Sequence, residues 1–490
     1  MNESLWSQWL STAHTWFDFF RVALLPHLLT LGGFILALLI LARFFSEKRT
    51  PSNIFAWSLL IFFIPYLGVP LYFLFGGRKS RKLVSSKMKI QAMIECVSNI
   101  TTPSEPPEEV NTELSIWKPK QGVYHGNTFQ LLGDGLSSYR ALCNEIEQAK
   151  ESIHIMTYIF SNDRVGSAIA AALMKRAREG VQIRVLVDAL GSMGRIGPIV
   201  KELRKAGAEV SRFMPMLPLQ TKTSANLRNH RKMCIFDGER AIVGGQNIDD
   251  RFLSVEEDPE CFRDFSTLMA GPVVQHFNMI FLSDWCFASK QKPEQFNQFF
   301  QRTVEVQGKN TINVMSSGPD VNGDPLWEAL ITLVQECRHE LTIVTPYFIP
   351  DEVLFRSLIV KAHTGRHVRL VIPQKSNHKI ADFARNYYLR QLNKAGVEIL
   401  LYTPGMIHAK LFLVDNNVAM VGSANIDMRS LFVNFEVGVF HASEKPIEEL
   451  KDWLETILPH CIHFQDTETA KASPSRHILE DFAHLLGPLL

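Results

Sequence analysis

The chain has 490 residues, more than one ordinary core accommodates, so two or more domains are expected. Its 51 Lys and Arg residues almost balance its 50 Asp and Glu residues, and this overall charge does not favour a nucleic-acid-binding protein. The seven Cys residues form no CxxC pair, which disfavours a disulfide framework and a structural zinc site.

Two apolar runs near the N-terminus predict a membrane hairpin. Residues 22–42 and 54–75 contain no Asp, Glu, Lys or Arg, and each run has roughly the 20 residues that a membrane-spanning helix requires. A secretory signal peptide fits the first run poorly, because the run is long and Glu3 and Asp18 precede it. A buried hairpin in a soluble protein is the remaining alternative.

Basic residues around these runs predict the orientation of the hairpin. The connection between the runs carries three of them, Arg43, Lys48 and Arg49. The segment after the second run carries six, namely Arg78, Lys79, Arg81, Lys82, Lys87 and Lys89. Because the more positive flank stays in the cytoplasm, the large C-terminal part of the chain is predicted to be cytoplasmic.

An internal duplication organises the rest of the chain. In each half, apolar runs typical of buried strands alternate with segments of helical pattern, which predicts an α/β sandwich with a mainly parallel sheet. The predicted helices cover 141–150, 166–178, 326–337 and 353–363, and the predicted strands cover 153–160, 181–187, 341–349 and 368–372. An apolar insertion at 214–219 in the first half is interpreted either as the lining of a lipid-binding mouth or as a packed surface loop.

Five segments follow from these patterns. They are a hairpin over 1–80, a juxtamembrane segment and Pro-containing linker over 81–125, a first lobe over 126–305, a second lobe over 306–470 and an amphipathic tail over 471–490. The tail places Ile478, Phe482 and Leu486 at helical spacing. It is expected to dock on the protein body, with the membrane surface as the alternative.

A short motif, His-x-Lys-x4-Asp, occurs once in each half. Its residues are His230, Lys232 and Asp237 in the first copy and His408, Lys410 and Asp415 in the second. Residues i and i+2 of a strand share one face, so each copy directs an imidazole and an ammonium group to the same side. If the halves pack with these strands facing each other, one site contains two of each group.

This set of groups suits the chemistry of a phosphodiester. The ammonium groups stabilise phosphate oxygens, while one imidazole attacks phosphorus and the other transfers the protons, with a phosphohistidine intermediate. Supporting roles are predicted for four residues: Asn247 and Asn425 as further donors to phosphate oxygens, and Asp264 and Glu436 as carboxylates that fix the imidazole tautomers.

A metal site is the competing interpretation for a His-rich centre. No carboxylate or Cys stands at metal-ligand spacing beside His230 or His408, and a Lys follows each of them two residues later. The sequence therefore predicts a site that uses no metal and no cofactor. Asp237 and Asp415 each begin a turn, so a structural role is the alternative to a catalytic one for this pair.

The paired motifs resemble those of the phospholipase D superfamily. The N-terminal hairpin and residues 157–160, 228–232, 345–348 and 487–490 resemble bacterial cardiolipin synthases. The resemblance implies two pseudo-symmetric phospholipase D-type α/β/α sandwich lobes behind a transmembrane hairpin, in an enzyme of the bacterial inner (cell) membrane. It also implies transfer of a phosphatidyl group from one phosphatidylglycerol to another, with release of glycerol. The family pattern makes His230 the nucleophile and His408 the acid/base, although the residues themselves leave these roles open. Phe262 departs from the pattern, which has Trp before Arg263.

Other acceptors give other functions. Water gives a phospholipase D-type hydrolase or a nuclease, and serine gives a phosphatidylserine synthase. The hairpin and the lack of a long basic groove pattern argue against a nuclease and against nucleic acid as a partner. A non-catalytic lipid-binding protein predicts a damaged motif, whereas both copies are complete. The expected partners are phosphatidylglycerol, other membrane phospholipids and the bilayer. The second lipid (phosphatidylglycerol or phosphatidylethanolamine) and the oligomeric state stay open.

Overall fold

The computed structural model describes residues 31–35, 38, 51–72, 81–97, 122–214, 227–302, 304–467, 470, 477, 480, 481 and 484. The chain separates into two compact units, one covering the residues up to Gly77 and one beginning at Arg78. The predicted apolar insertion at 214–219 lies outside the described residues except for Met214.

In the N-terminal unit, two helices occupy most of the second apolar run: α1 (Pro51–Phe63) and α2 (Pro65–Leu71). The predicted helix over 54–75 is thus not continuous. Its backbone leaves the helical region at Ile64, because Pro65 has no N–H to continue the hydrogen-bond ladder and instead begins the next helix.

The predicted hairpin as a whole extends beyond what the structure describes. Of the predicted span over 22–42, only residues 31–35 and 38 are described, and these are helical. Among the described residues, no helix combines the length and the apolar character needed to cross a bilayer.

The second unit begins with α3 (Arg81–Val97) and contains two α/β lobes. The first lobe has the strands β2 (Gln130–Leu132), β3 (Ser152–Thr157), β4 (Gln182–Asp188), β5 (Glu209–Phe213), β6 (Met233–Phe236), β7 (Arg240–Gly244) and β8 (Ser266–Ala270). Their order in the sheet is β2-β8-β7-β6-β3-β4-β5. The helices of this half are α4 (Gly135–Gln148), α5 (Arg164–Arg178), α6 (Gly197–Lys205), α7 (Val273–Ser289) and the short α8 (Asn297–Phe300).

The second lobe repeats this plan around a nine-stranded sheet. Its strands are β1 (Val123–Asn127), β9 (Asn310–Ser317), β10 (Glu340–Val344), β12 (His367–Pro373), β13 (Glu398–Tyr402), β14 (Leu411–Val414), β15 (Val418–Gly422), β17 (Glu436–His441) and β18 (Cys461–His463). Their order is β1-β9-β17-β15-β14-β10-β12-β13-β18. A small separate pair is formed by β11 (Phe348–Ile349) and β16 (Ile426–Asp427). The helices are α9 (Pro325–Glu336), α10 (Glu352–His363), α11 (Lys379–Lys394), α12 (Met428–Phe432) and α13 (Glu444–Ile457).

The two-lobed α/β fold confirms the predicted class, but the expectation of mainly parallel sheets is wrong. In the main sheet of each lobe, three neighbouring strands of those described run parallel, β3-β4-β5 in the first and β10-β12-β13 in the second, and the small pair β11-β16 is also parallel. The strands that follow the motifs pair antiparallel, as β6 with β7 and β14 with β15. The reason is the short turn that begins at Asp237 or Asp415, because so short a connection joins only antiparallel neighbours.

Strand β1 lies near the start of the first half of the chain but pairs with a strand of the second lobe. β1 crosses the predicted boundary between the linker (81–125) and the first lobe (126–305), yet it pairs antiparallel with β9 of the second lobe. Helix α7 is buried over most of its surface and contacts β6 and β8 of one sheet and β9 of the other. The two lobes therefore share one hydrophobic core around α7, and each lobe also has a separate cluster of its own.

The C-terminal tail is described at four positions, and three of them, Glu480, Asp481 and His484, contact α11. The buried Glu480 carboxylate accepts a hydrogen bond from Asn386 Nδ2 at 2.9 Å and pairs with Arg390. The His484 ring lies 4.1 Å from that of Tyr387. These contacts agree with the expected docking of the tail on the body.

The motif aspartates hold turns together. Asp237 has a positive φ of 53°, and its carboxylate accepts hydrogen bonds from the backbone N–H groups of Lys150, Glu151 and Ser152 at the start of β3. Asp415, with φ 50°, accepts in the same way from the N–H groups of residues 338, 339 and 340 at the start of β10. Both carboxylates therefore fix the hairpin turn to the neighbouring strand, which is the structural alternative to a catalytic role.

We expect Asp237→Ala to lower the free energy of unfolding by about 1–3 kcal/mol, because three backbone donors lose their acceptor. Thermal unfolding of the purified protein measures the loss, with exposed Glu257→Ala as the matched control. Equal melting temperatures for the two variants would show that these hydrogen bonds add no stability.

Candidate active site

The two His-x-Lys segments lie where the lobes meet. His230 precedes β6, and its backbone N–H donates to the Phe435 carbonyl oxygen at 2.9 Å. His408 precedes β14, and its backbone N–H donates to the Arg263 carbonyl oxygen at 2.8 Å. Each segment is thus held by backbone hydrogen bonds to a loop of the other lobe, which brings the two copies of the motif to one place.

The carboxylates bind the imidazoles crosswise. His230 Nδ1 lies 3.0 Å from Glu436 Oε1, which the second lobe contributes. His408 Nδ1 lies 2.8 Å from Asp264 Oδ2, which the first lobe contributes. Both carboxylates are fully buried. Because Nδ1–H donates to the carboxylate in each pair, Nε2 is the nitrogen left for chemistry.

The lysine side chains lie beside the histidines. Lys232 Nζ donates to the carbonyl oxygen of His230 at 2.6 Å. Lys410 donates to the carbonyl oxygen of His408, and its Nζ lies 2.7 Å from His408 Nδ1 and 3.3 Å from His408 Nε2. Both lysines are almost completely buried. The predicted set of two imidazoles and two ammonium groups is therefore assembled within one unit of the chain, while Asp237 and Asp415 lie beyond the far ends of β6 and β14.

Burial sets the electrostatics of the histidines. It lowers the pKa of the His230 imidazole; Glu436 opposes this shift, and Lys232 adds to it. Burial also lowers the pKa of His408 well below its ordinary value, and Lys410 adds to this shift. The lowered pKa values favour neutral imidazoles near pH 7, which suits a nucleophile as well as a general base.

The pKa values of the lysines and carboxylates beside the two histidines shift in different directions. Burial lowers the pKa of Lys410 to about 8, although Asp264 opposes the shift. Burial raises the pKa of Asp264 to about 6 against the effect of Lys410. Burial alone would raise the pKa of Glu436, but His230 and Lys232 more than offset it and leave that pKa below its ordinary value. The carboxylate of the His230 pair is thus the more strongly ionised one.

The two asparagines are buried but differ in their contacts. Asn247 Oδ1 accepts a hydrogen bond from the Ile159 backbone N–H at 3.1 Å, and its side chain lines a small cavity together with Lys232. Within the described part of the chain, Asn425 Oδ1 has no hydrogen-bond donor. Asn425 is therefore the buried polar group with capacity left for a ligand.

Three aromatic or hydroxyl side chains complete the site, and the sequence alone did not identify them. The Tyr158 ring meets His230 edge-on with centroids 5.0 Å apart, and the Phe252 ring meets His408 edge-on at 4.8 Å. Ser423 Oγ donates to Glu436 Oε2 at 2.5 Å. Tyr158 and Ser423 could have been found from the sequence, because each lies in a stretch that has a similar counterpart in the other half of the chain.

Phe262 stands where the family pattern has Trp, and its ring makes aromatic contacts beside His408. Phe262 stacks on His408 with ring centroids 6.3 Å apart and packs on Phe252 at 5.1 Å.

Among the residues that the structure describes, no group of three or more His, Cys, Asp or Glu side chains is arranged to hold a metal ion.

Comparison with known families agrees with this geometry. The family model described as cardiolipin synthase, PLD-like domain, matches residues 142–285 and 330–458, and the phospholipase D-nuclease N-terminal model matches residues 34–77. The first model thus matches both lobes and both motifs.

Curated relatives give the same grouping, and a solved structure shares the fold. The chain is 31% identical to a cardiolipin synthase of Oceanobacillus iheyensis over 91% of this chain and 95% of the relative. It is 33% identical to the major cardiolipin synthase ClsA of Bacillus subtilis over 94% of this chain and 99% of the relative. A phosphatidylserine synthase structure from Haemophilus influenzae shares the fold, with a TM-score of 0.58, 14% identity, and coverage of 74% of this chain and 95% of that one. The chain therefore belongs to the cardiolipin synthase family of phospholipase D-like proteins.

Proposed function

We propose that the protein is a cardiolipin synthase that transfers a phosphatidyl group from one phosphatidylglycerol to the glycerol hydroxyl of a second. The observation that carries this proposal is the crossed pair of imidazoles, His230 with Glu436 and His408 with Asp264. The identity of 31–33% with cardiolipin synthases over more than 90% of the chain supports the choice of reaction.

In the first half of the reaction, His230 Nε2 attacks phosphorus of the donor lipid. The N–P bond forms while the bond from phosphorus to the glycerol oxygen breaks, and His408 donates a proton to that oxygen. The anionic phosphate favours the protonated form of His408 when the donor is bound. Glycerol leaves, and the phosphatidyl group stays on His230 as a phosphohistidine.

In the second half, His408 is neutral and accepts a proton from the hydroxyl group of the acceptor lipid. The acceptor oxygen then forms a bond to phosphorus, and the N–P bond breaks to release His230. Lys232 and Lys410 stabilise the negative charge on the phosphate oxygens in both halves. The amides of Asn247 and Asn425 act as further donors, and Glu436 stabilises the positive charge on His230 during the attack.

We also propose that the enzyme works at the bacterial inner (cell) membrane, with two spans over 22–42 and 54–75 and with both lobes in the cytoplasm. The six basic residues after the second apolar run, against three on the connection, support this orientation. The match of the N-terminal family model to residues 34–77 supports the membrane association.

The reaction is tested by incubating the purified protein with labelled phosphatidylglycerol in mixed micelles that contain a chelator. We expect equal amounts of cardiolipin and free glycerol, because each transfer releases one glycerol, with His230→Ala protein as the blank. Phosphatidic acid as the sole lipid product would identify a hydrolase instead. Loss of activity on chelation would contradict the metal-free mechanism.

The assignment of the nucleophile predicts the position of a covalent adduct. After an alkaline quench, which preserves the N–P bond, labelled lipid phosphate should be found on His230 in the wild type and in His408→Ala. His230→Ala should carry no label and should lose about 1,000-fold or more in kcat, because the group that forms the intermediate is gone. Exposed His363→Ala is the control. Label mapped to His408 would reverse the two roles.

The pKa of Lys410, about 8, predicts an alkaline limit of activity. The protonated ammonium group is the active form, so kcat/KM should fall as pH rises through about 8. In Lys410→Arg the guanidinium stays charged, so this limb should move to higher pH even where the absolute rate is lower. An unchanged limb in Lys410→Arg would show that another group titrates.

A further inference from the structure

A buried lysine lies behind the His230 segment. Lys87 belongs to α3 and is only 2% exposed, although the sequence places it in a run of basic residues. Its Nζ lies 2.7 Å from Asp284 Oδ1 of α7 and forms a second ion pair with Asp320. The same ammonium group lies 4.8 Å from the ring centroid of Phe435. Lys87 is therefore a fully engaged cation in the core that the lobes share.

The other oxygen of Asp284 holds both neighbours of His230. Asp284 Oδ2 accepts from Asn229 Nδ2 at 2.8 Å and from Arg231 Nη1 at 2.8 Å. Arg231 in turn donates through Nε to the Glu436 carbonyl oxygen at 3.0 Å. One carboxylate thus fixes the residues on either side of His230, and Arg231 fixes the backbone of the residue whose side chain binds that imidazole.

The charges of this cluster balance only when Lys87 is present. Two cations, Lys87 and Arg231, face two anions, Asp284 and Asp320, and all four are buried. Burial alone would raise the pKa of Asp284, but Lys87 and Arg231 hold it below its ordinary value. Without Lys87, Asp284 keeps a single cationic partner and Asp320 loses its pair. An unpaired charge in such a place drives rearrangement of its neighbours.

We propose that Lys87 is a positioning residue for the reaction: through Asp284 it holds Asn229 and Arg231, and thereby the alignment of His230 with Glu436. This inference rests on the proposed function, because it assigns the proposed nucleophile its support. It also gives α3, which follows in sequence the residues matched by the N-terminal family model, a direct contact with Asp284, the carboxylate that supports the His230 segment.

Helix α3 has other anchors, so replacing Lys87 leaves it docked. Ile94 is 1% exposed, and Ile90 packs partly buried against the same core. The variant Lys87→Met keeps the length of the side chain and removes its charge. Exposed Lys89→Met removes one positive charge from the same helix and serves as the matched control, including for any effect on membrane orientation.

The test measures kcat, KM and the pH profile of cardiolipin formation by the full-length variants. For Lys87→Met we expect kcat to fall by about tenfold or more, while KM stays within about twofold. Glu436 raises the pKa of His230, so a weaker contact should move the acidic limb of the kcat/KM profile to lower pH. Lys87→Arg should restore part of kcat, and Lys89→Met should match the wild type.

A second variant separates positioning from simple charge balance. Lys87→Met/Asp320→Asn removes one cation and one anion, so the cluster is neutral again and folding is preserved, but Asp284 still lacks Lys87. We expect kcat to stay low in this double variant. Wild-type kcat with an unshifted acidic limb, in either Met variant, would overturn the proposal. Activity of wild type and Lys89→Met establishes the reaction independently, so failure of the proposed function is distinguishable.

Discussion

The hydrogen bond between His230 and Glu436, with its counterpart between His408 and Asp264, is the contact on which the site depends. Each imidazole is oriented by a carboxylate from the other half of the chain, so neither half holds a complete imidazole–carboxylate pair. The packing of the two sheets around α7 keeps the donor and the acceptor of each bond in register. The geometry of the site therefore depends on the packing of the shared core, because a shift between the lobes would break both imidazole–carboxylate pairs at once.

The site has two layers. The front layer consists of the imidazoles and lysines of the two motifs, and the layer behind it consists of the buried ion pairs around Asp284. In front, the buried lysines and imidazoles have lowered pKa values because burial disfavours their charged forms, and the phosphate supplies the missing negative charge when it binds. Behind, Asp284 is the only carboxylate within its apolar helix segment, and it meets Arg231 and Lys87 without any ligand. The ionic cluster is thus balanced by the protein's own side chains.

The sequence predicted the duplicated lobes and the four central residues, because the motif spacing and the apolar strands are local patterns that occur twice. It did not predict mixed sheets, since strand direction depends on how β6 and β14 return through their turns. It also could not tell which carboxylate meets which imidazole, because Asp264 and Glu436 stand at equivalent places in the two halves. Lys87 was interpreted only as part of a basic flank. Its partner Asp284 lies far along the chain, and only the tertiary fold brings the two together.

The pairing of β1 with β9 has a consequence for synthesis of the chain. Val123 aligns with Asn313, so an edge strand made early cannot find its partner until the entire first lobe has emerged. The ion pair between Lys87 and Asp320 can form only later still, because Asp320 follows Asn313 in the chain. Contacts this distant in sequence form late in folding, because a long loop must close first. The first lobe is thus complete as a sheet, and α3 can pack on α7, while β1 still lacks its partner strand β9.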